Sequence, residues 1–420
     1  MVKKVQIVKA KSNSKIGTHN GQKKLIKLRA EVNRLYFEEG LSKNAIGRKK
    51  RLSKRFVMRW TQSPQQDFNR DHRGWPMGQR RKWTQQTEDR IAHLHSALKA
   101  DPKAFYLGAT AIQQQWRRRY PKDTVPPLRT IGQILKDLGL SRPRKTHRNP
   151  GAAAYLCYPE HTVYHTLGRR VMEADLVGHK FLAGRTEPLQ FAGFSFKKAP
   201  KFRYFKRIRS KGADSFIACC KDVFQQFEKP DALKLDNAAD SIGSRSGKRN
   251  ISKVMAFLLA HEIYPVFAVP RRPFSQASIE GNNSVFARSF WNRRTFVSLA
   301  DVDRQLGWFN HASLDYTGYQ PPKKTDGPKG RFVPKVYFLR QVRDNGHGDT
   351  GWIEVLNEVV DLDPAYIGYF VIAVWHLKKE ILTVSIEKEK RLETIISAPF
   401  KINETSKKKF MSGGVLSFCI

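Results

Sequence analysis

The stretch SFIACCKDVFQQFEKPDALKLDN, residues 215–237, decides the fold. Its first part, SFIACCKDVFQQF, predicts a helix, and its last part, DALKLDN, predicts a short strand. A helix that leads directly into a strand is typical of a sheet with helices packed on it. The strand ends on Asp236, so a carboxylate is expected at a strand end in a chain where acids are outnumbered by bases.

The sequence on both sides of this stretch extends the sheet. Three strands are predicted before it, in GRRVMEADLVG, FAGFSF and KFRYFKRI. After it come a helix in ISKVMAFLLAHEI, a strand in YPVFAVP, and helices in SQASIEGNNSVFARSFWNRR and LADVDRQLGWFNHA. Three strands followed by this alternation predict a mixed, five-stranded α/β sheet with helices packed on it.

Three acids stand at the ends of these elements. Asp175 lies within or near the end of the first strand, Asp236 at the end of the fourth, and Glu280 in the first turns of a helix. Neighbouring strand ends and a helix start can bring three carboxylates together, and divalent cations with oxygen ligands stabilise such a cluster. Two Mg²⁺ ions stabilise the attacking and leaving oxygens at a phosphorus atom. The pattern therefore predicts a metal-dependent site for phosphoryl transfer.

Each of these acids also has a simpler structural interpretation. Asp236 could be a turn residue or a helix cap, and Glu280 could be an ordinary first-turn acid favoured by the helix dipole. Asp175 could be a turn residue as well, and Glu173 is its nearest rival for a catalytic role. Two further residues could contact the metal or its ligands: Asp240, the weaker candidate, and Asn283.

The chain is strongly basic. Lys and Arg number 77 against 37 Asp and Glu, a formal net charge of +40 over 420 residues, and 18 of the basic residues fall within residues 1–60. Such an excess implies a polyanionic partner, most often nucleic acid. A ribosomal or histone-like coat protein is the simpler alternative, but the 8 Trp and 26 Phe favour a chain with an enzymatic core.

The cysteines and the N-terminus indicate the compartment. The 4 Cys form no CxxC pair, and Cys219 and Cys220 are adjacent in a predicted helix, where their side chains point apart. Free thiols of this kind fit a reducing compartment. The first residues lack the apolar run of a signal peptide, and no stretch approaches the ~18 apolar residues of a membrane span. We therefore expect a cytoplasmic protein that does not enter a membrane.

Two N-terminal regions predict helix-turn-helix units. A helix over 22–39 is followed by LSKNAIGRKKRLSKRFVMRW, residues 41–60, in which Ser42 and Ser53 can cap two short helices. A second helical region over 83–142 ends in LRTIGQILKDLGL, whose apolar residues fall on one face. A small helical bundle is the alternative, but the local charge favours DNA binding. The residues expected to face DNA are Lys54, Arg55 and Arg59 in the first unit and Arg129, Thr130 and Gln133 in the second.

Two further basic runs are candidate DNA contacts. One alternates with aromatic residues on a predicted strand, and the other follows Glu280 on its helix. A solvated face is the default interpretation of both, and contact with a DNA backbone is the functional one. The strand run consists of Lys201, Arg203 and Arg207, and the helix run of Arg288, Arg293 and Arg294.

Three strings around the acids, EADLVG, LKLDNAAD and PFSQASIEGNNSVFARSFWNRR, resemble the catalytic segments of the DDE transposase and integrase core of the retroviral-integrase-like superfamily. The resemblance covers about residues 165–315 and implies a ribonuclease-H-like α/β core. It also implies that Asp175, Asp236 and Glu280 are the catalytic residues and metal ligands. Mg²⁺ is the implied cofactor, with Mn²⁺ as a substitute. Flanking helix-turn-helix domains and a small C-terminal β-barrel are common in this family.

The chain departs from the family pattern in three places. Ala238 stands where Gly often follows Asp-Asn, and the 43 residues between Asp236 and Glu280 exceed the gap common in retroviral integrases. The added length could lie in SIGSRSGKRN, residues 241–250. A His/Cys zinc domain of the retroviral kind is missing from the N-terminal region. These departures leave the class intact and blur the subfamily.

The C-terminal part predicts short strands in FVPKVYF, GWIEVL, IGYFVIAVW and ILTVSI, as in a small barrel or sandwich. The predicted organisation is therefore multidomain. It consists of a disordered basic tail over 1–20, a helix-turn-helix domain over 21–62, a linker over 63–82, a second helix-turn-helix-like domain over 83–142, a linker over 143–160, the ribonuclease-H-like core over 161–318, a linker over 319–332, a small β-barrel over 333–400 and a tail over 401–420.

The resemblance implies a function. The chain is expected to cut DNA at transposon ends and to join the freed 3′-OH ends to target DNA by two-metal phosphoryl transfer. Its partners would be double-stranded DNA, further copies of itself and a helper ATPase, in the bacterial cytoplasm at the nucleoid. Two alternatives stay open: a non-catalytic DNA-binding regulator that keeps the fold, and a ribonuclease-H-like nuclease without strand transfer.

Overall fold

The computed structural model describes residues 19–68, 83–141, 170–196, 202–227, 229–237, 247–320 and 332–411. The chain divides into two compact units, Met1–Thr84 and Gln85–Ile420. Among the helices of the described ranges, none is long and apolar enough to span a membrane.

The part of the first unit that the structure describes contains three helices, α1 (His19–Phe37), α2 (Lys43–Lys50) and α3 (Lys54–Trp60). Ser42 and Ser53 cap α2 and α3 as predicted, because their hydroxyls accept hydrogen bonds from the third amide beyond each of them. One apolar core joins the three helices, and its buried members are Val32, Leu35, Ile46, Val57 and Trp60. The predicted pair of short helices with a tight turn between them is therefore present.

The second unit begins with three more helices, α4 (Gln85–Ala100), α5 (Ala109–Arg119) and α6 (Leu128–Asp137). Their apolar faces meet in a core whose largest buried members are Ile91, Leu94, Ile112, Trp116, Ile131 and Leu135. The helical spacing in this region therefore predicted the elements correctly, but the predicted apolar face of LRTIGQILKDLGL is buried only in part, since Leu138 is 42% exposed. Gly139, at a φ of +67°, lies just beyond α6.

Twelve strands follow in the described residues of the second unit. They are β1 (Val171–Lys180), β2 (Leu189–Phe196), β3 (Phe202–Ile208), β4 (Ala232–Leu235), β5 (Tyr264–Phe267), β6 (Lys335–Gln341), β7 (Arg343–Asp344), β8 (Gly351–Val355), β9 (Glu358–Leu362), β10 (Phe370–His376), β11 (Ile381–Lys388) and β12 (Arg391–Pro399). Nine of them form one mixed sheet in the order β12-β11-β10-β6-β5-β4-β1-β2-β3, and β7, β8 and β9 form a small second sheet. In the large sheet, β1 pairs parallel with β4, β4 with β5, and β5 with β6.

Helices pack against the large sheet in two separate apolar cores. The helices α7 (Ala213–Phe227) and α8 (Lys253–Ala260) belong to one core. The helix α9 (Ala277–Val285), a π-helical segment (Phe286–Phe290) and α10 (Leu299–Thr317) flank the other. The strand β2 shows why both cores form, since its Phe194 faces the first and its Phe191 the second. A strand covered on both faces is a continuous apolar run rather than an alternating one.

The C-terminal strands correct the predicted architecture. The sheet has nine strands rather than five, and β6, β10, β11 and β12 extend it beyond β5 instead of closing into a small barrel over 333–400. Val266 of β5 pairs with Tyr337, and Phe267 pairs with Phe338. The physical reason is that β5 would otherwise present an unpaired strand edge. The apolar pattern predicted these strands, but it carries no information on which edge they join.

The helices α4 to α6 are fixed on the sheet-containing part of their unit. Tyr106, between α4 and α5, stacks on Tyr316 of α10 with ring centroids 4.2 Å apart. Arg118 of α5 donates two hydrogen bonds to the Asp315 carboxylate, at 2.9 and 2.7 Å. Phe105 is buried in the same apolar core as the π-helical segment. The second predicted DNA-binding region therefore packs directly on the core that carries the acids.

Several predicted segments fall partly or wholly outside the described residues. These are the tail over 1–20 and the linkers over 63–82, 143–160 and 319–332. Within the segment predicted as a C-terminal tail, a helix α11 (Glu404–Met411) is present. It contacts the core, because Ser406 Oγ accepts a hydrogen bond from the Ile251 amide at 3.2 Å.

The continuity of the sheet can be tested at Phe338, which is fully buried and stacks on Phe267 with ring centroids 5.3 Å apart. We expect Phe338→Ala to lower the free energy of unfolding by ~3–5 kcal/mol, because it opens a cavity between β5 and β6. Urea unfolding followed by circular dichroism measures the change. Phe181→Ala is the control, since Phe181 is 57% exposed and its truncation should cost under ~0.5 kcal/mol. A separate low-stability transition in Phe338→Ala, with the rest of the unit unaffected, would contradict one continuous sheet.

Candidate active site

Two parallel neighbours in the sheet, β1 and β4, carry the first two predicted acids to one place. Their register pairs Glu173 with Lys234. Asp175 and Asp236 each lie two residues further along, where the pairing of β1 with β4 ends, so both carboxylates come to the same place. The strand β1 continues beyond this place beside β2. Both residues line one pocket, whose other lining residues are Lys211 and apolar side chains of β1, β4, α7 and α8.

The environment of Asp175 is set by α9 and by the other acids. Asn283 Nδ2 donates a hydrogen bond to Asp175 Oδ2 at 2.8 Å. Burial and the Asp236 carboxylate raise the pKa of Asp175 to about 6, although hydrogen bonds from Asn283 and the Leu176 amide oppose the rise. The Glu280 carboxylate raises the pKa of Asp175 slightly further. The negative charges of both other predicted acids therefore repel the Asp175 carboxylate, and a bound cation would offset this repulsion.

A glycine makes room for the contact between α9 and Asp175. Gly193 of β2 is the register partner of Asp175. A Cβ at this position would lie 2.7 Å from Phe205 Cε1 and 3.1 Å from Asn283 Oδ1. Only a residue without a side chain lets α9 lie this close to β2. Gly193 thus allows Asn283 to reach across the strand to Asp175.

The third predicted acid, Glu280, lies at the border of the site. It stands in the first turn of α9, and its side chain is exposed. Burial and the Glu173 carboxylate raise the pKa of Glu280. Within the described part of the chain, no three His, Cys, Asp or Glu side chains lie close enough to hold a metal ion as they stand. The structure therefore pairs Asp175 with Asp236 and places Glu280 beside them.

The donor set suits Mg²⁺ by its chemistry. Asp175 and Asp236 offer hard carboxylate oxygens that line one pocket. Mg²⁺ sites at phosphate-handling centres commonly use one or two carboxylates, and water and substrate phosphate oxygens complete the shell. Two neighbouring carboxylates are therefore sufficient for such a site, and Glu280 is placed to add a third.

The structure separates Asp175 from its nearest rival. Glu173 is 1% exposed and pairs with Lys234, which is equally buried, with 3.6 Å between Glu173 Oε1 and Lys234 Nζ. Its other carboxylate oxygen accepts a hydrogen bond from the Ile279 amide at 3.0 Å. Glu173 is thus fully engaged inside the protein, whereas Asp175 lines the pocket. This difference favours Asp175 as the residue that meets a substrate.

Lys211 is a pocket residue that the sequence pattern did not single out. It follows β3, and its Nζ lies 3.0 Å from Nε2 of His179. A signal for it existed, because β3 is antiparallel to β2 and β2 is antiparallel to β1. The strand β3 therefore ends at the same edge as β1, and basic residues just after it approach Asp175. A lysine at this place can position a phosphate next to the carboxylates.

The residues predicted to face DNA in the two helical regions are exposed, as expected, with one exception. Lys54, Arg55 and Arg59 are exposed on α3. On α6, Arg129 and Gln133 are exposed and Thr130 is half-buried. Contact of these residues with DNA stays a prediction.

The two other basic runs are more engaged inside the protein than expected. Arg203 donates hydrogen bonds to Asn282 Oδ1 at 2.8 Å and to the Tyr106 hydroxyl at 2.9 Å. Arg207 donates two hydrogen bonds to the Asp303 carboxylate, at 2.7 and 2.6 Å. Both are half-buried rather than on an open face, because their strand lies under α10. Lys201 lies outside the described residues.

The three arginines that follow Glu280 in the sequence also donate hydrogen bonds inside the protein. Arg288 is exposed, and its Nε donates to the Ser284 carbonyl at 3.2 Å. Arg293 and Arg294 donate instead to the carbonyls of residues 105 and 104, at 3.3 and 3.0 Å. They therefore hold the segment between α4 and α5 on the core, although Arg293, like Arg288, stays exposed and Arg294 is half-buried.

The pKa of Asp175 yields a test in metal-free buffer. The pKa of Asp175 is about 6 in the folded chain, against an ordinary value of 3.8. As pH rises from about 4 to 6, the unfolded chain therefore loses this proton before the folded chain does, and the free energy of unfolding falls over that window. Asp175→Asn should remove this penalty and raise the free energy of unfolding at pH 7.5 by ~1–2 kcal/mol, with little gain at pH 4. Urea unfolding in EDTA at both pH values measures it. Asp361→Asn, an exposed control on β9, should show no such difference. An equal gain for Asp175→Asn at both pH values would count against the assigned cause.

Comparisons with known proteins give weak similarity. No protein-family model matches the chain, and no curated protein matches it. Among solved structures, the chain is similar to a chain of the simian T-cell lymphotropic virus intasome bound to PP2A regulatory subunit B56 gamma, with 10% identity over 74% of this chain and 97% of that chain and a TM-score of 0.31. It is also similar to the Mos1 transposase in a paired-end complex with the left transposon end, with 13% identity, coverage of 69% and 91%, and a TM-score of 0.26. For the mariner Mos1 paired-end complex with Mg, the values are 12% identity, coverage of 70% and 94%, and a TM-score of 0.24. Likeness at this level assigns neither an activity nor a partner to this chain.

Proposed function

We propose that this chain is a DNA transposase or integrase, which cuts DNA at the ends of an element and joins the freed 3′-OH ends to target DNA. The observation that carries the proposal is the pairing of Asp175 and Asp236 at the edge of parallel strands, with Glu280 on a helix beside them, in a chain of net charge +40. Paired carboxylates are poor partners for a polyanion unless a cation lies between them. A site of this kind in a basic chain therefore suits metal-dependent chemistry at a phosphodiester.

The residues take distinct roles in this proposal. Asp175 and Asp236 would hold Mg²⁺ with help from Glu280, and Mn²⁺ would substitute for it. When bound, the metal activates the attacking oxygen and stabilises the leaving oxygen at phosphorus. Asn283 orients the Asp175 carboxylate by its hydrogen bond of 2.8 Å. Lys211 contacts a non-bridging phosphate oxygen at the pocket and so places the scissile bond beside the two aspartates.

DNA binding is proposed for the exposed basic residues of the helical regions. In the first unit, α3 presents Lys54, Arg55 and Arg59 to solvent, with α2 and a tight turn before it. In the second, α6 presents Arg129 and Gln133. Short helices with exposed basic residues at their N-terminal ends are suited to the major groove. These two regions would recognise the terminal sequences that the site cuts.

Further copies of the chain and a helper ATPase are proposed as additional partners. Joining two element ends to one target requires two sites to act together, and the described part of one chain holds one such pair of aspartates. A homo-oligomer assembled on DNA meets this requirement. The ATPase would act in the choice of target.

The reaction is tested with a strand-transfer assay on labelled DNA carrying the element ends. The wild type should cut and join in Mg²⁺ or Mn²⁺, and Asp236→Asn should lose at least ~1000-fold in rate, because a lost ligand removes several kcal/mol of transition-state stabilisation. Asp222→Asn is the matched control and should retain wild-type activity. DNA binding without cleavage by the wild type would favour a regulator, and cleavage without joining would favour a nuclease. Equal activity of Asp236→Asn would overturn the assigned site.

DNA recognition by α3 is tested by the salt dependence of binding. Arg55→Ala should reduce the slope of log K against log salt by about 1, and the triple change Lys54→Ala, Arg55→Ala and Arg59→Ala by about 3, because each lost cation releases one counterion fewer. Fluorescence anisotropy with duplex DNA at several salt concentrations measures the slopes. Arg34→Ala is the control, since Arg34 is already paired with Glu39 at 2.7 Å. An unchanged slope in the triple variant would place the DNA contacts elsewhere.

A further inference from the structure

A fully buried ion pair lies next to the two aspartates. Glu173 on β1 and Lys234 on β4 are register partners, each is 1% exposed, and 3.6 Å separates Glu173 Oε1 from Lys234 Nζ. Burial of two charges costs several kcal/mol per ion unless each is well satisfied. Such a pair is therefore weak evidence for stability, and its retention calls for another explanation.

The pair lies directly before the site in both strands. Glu173 precedes Asp175 by two residues, and Lys234 precedes Asp236 by two. Side chains two apart on a strand point to the same face of the sheet. The ion pair therefore lies two residues before the two aspartates along the chain, on the same face of the sheet. Asn283 of α9 approaches Asp175 from that side.

Both charges are satisfied by the segment that starts α9. Glu173 Oε2 accepts a hydrogen bond from the Ile279 amide at 3.0 Å, and Lys234 Nζ donates to the Ser275 carbonyl. Gln276 stands at the N-cap position of α9, but its side chain makes no capping hydrogen bond. The first amides of a helix have no acceptor within the helix. Here the Glu173 carboxylate of β1 accepts the hydrogen bond from one of them. The next residue after Ile279 is Glu280.

We propose that Glu173 and Lys234 are positioning residues, which fix the start of α9 on β1 and β4 and thereby place Glu280 and Asn283 against Asp175 and Asp236. The catalytic consequence rests on the function proposed above. The same two strands that carry the aspartates thus carry, one step earlier, the groups that hold the third acid in place. Neither residue touches a substrate in this arrangement, because both are closed off from the pocket by burial.

The test replaces the pair by apolar residues of similar size, Glu173→Leu with Lys234→Met. Exchanges of this kind at buried ion pairs commonly preserve the fold, so stability and positioning can be separated. Two measurements are made on the full chain: strand cleavage in Mg²⁺, and hydrogen–deuterium exchange of the peptide spanning 275–285. We expect an unchanged melting temperature, faster exchange in that peptide and a ~100-fold loss of cleavage rate, since a displacement of about 1 Å costs this much.

A control ion pair lies just before the same two strands. Arg170 and Asp231, near the starts of β1 and β4, form a pair with 3.1 Å between Arg170 Nη2 and Asp231 Oδ1. Arg170→Gln with Asp231→Asn should leave both cleavage and exchange in 275–285 unchanged. If the apolar pair does not fold, Glu173→Gln with Lys234→Gln serves instead. This variant removes both charges and places a shorter hydrogen-bond donor at position 234. We therefore expect the same two changes, faster exchange in 275–285 and slower cleavage.

The outcomes separate the two proposals. Wild-type exchange in 275–285 together with wild-type cleavage in a folded double variant would overturn the positioning role. If the wild-type chain cleaves no DNA under any metal, the proposed function fails, and the exchange comparison alone decides whether the pair holds α9. Faster exchange with undiminished cleavage would show that the placement of α9 does not matter to the reaction, which also overturns the inference.

Discussion

The parallel pairing of β1 with β4 is the constraint on which the site depends. Parallel neighbours run in the same direction, so residues that follow matched positions on the two strands arrive at the same edge. The register that joins Glu173 to Lys234 therefore also aligns Asp175 with Asp236. Repulsion between the two carboxylates opposes this alignment, and the pKa of Asp175 reflects it by rising to about 6, mainly through burial and then through Asp236. Folding of the surrounding sheet holds the two acids together against that repulsion.

The packing on the two faces of β1 and β4 follows from the same pairing. A parallel strand pair cannot be joined by a tight hairpin. The chain therefore reaches β4 from β3 through α7, and β5 from β4 through α8, and both helices cover one face. The other face receives α9, and Gly193 lets it approach within reach of Asp175. One face thus supplies apolar burial and the other supplies Asn283 and Glu280. The chemistry and the core are built from opposite faces of the same strands.

Much of this arrangement could be predicted from the sequence, and the reasons are physical. Helical spacing and serine caps gave α2 and α3, and the order of apolar runs gave the five strands from β1 to β5. The position of the C-terminal strands in the sheet could not be predicted this way, because the sequence of an apolar strand does not indicate which sheet edge it joins. The pocket residue Lys211 was also missed, since its approach to Asp175 depends on the antiparallel pairing of β1 with β2 and of β2 with β3. The partners of Arg203 and Arg207 were hidden for a similar reason: Asn282, Asp303 and Tyr106 are distant in sequence.

The extension of the sheet by β6 has a consequence for how the chain folds during its synthesis. The open edge of β5 pairs with residues around 337, about seventy positions later in the chain. Contacts between such distant segments form slowly, because a long loop must close before any pairing is gained. Until β6 has left the ribosome, the edge of β5 stays open to pairing with other nascent chains. The order of synthesis therefore makes the interval between β5 and β6 a period in which this protein is open to aggregation.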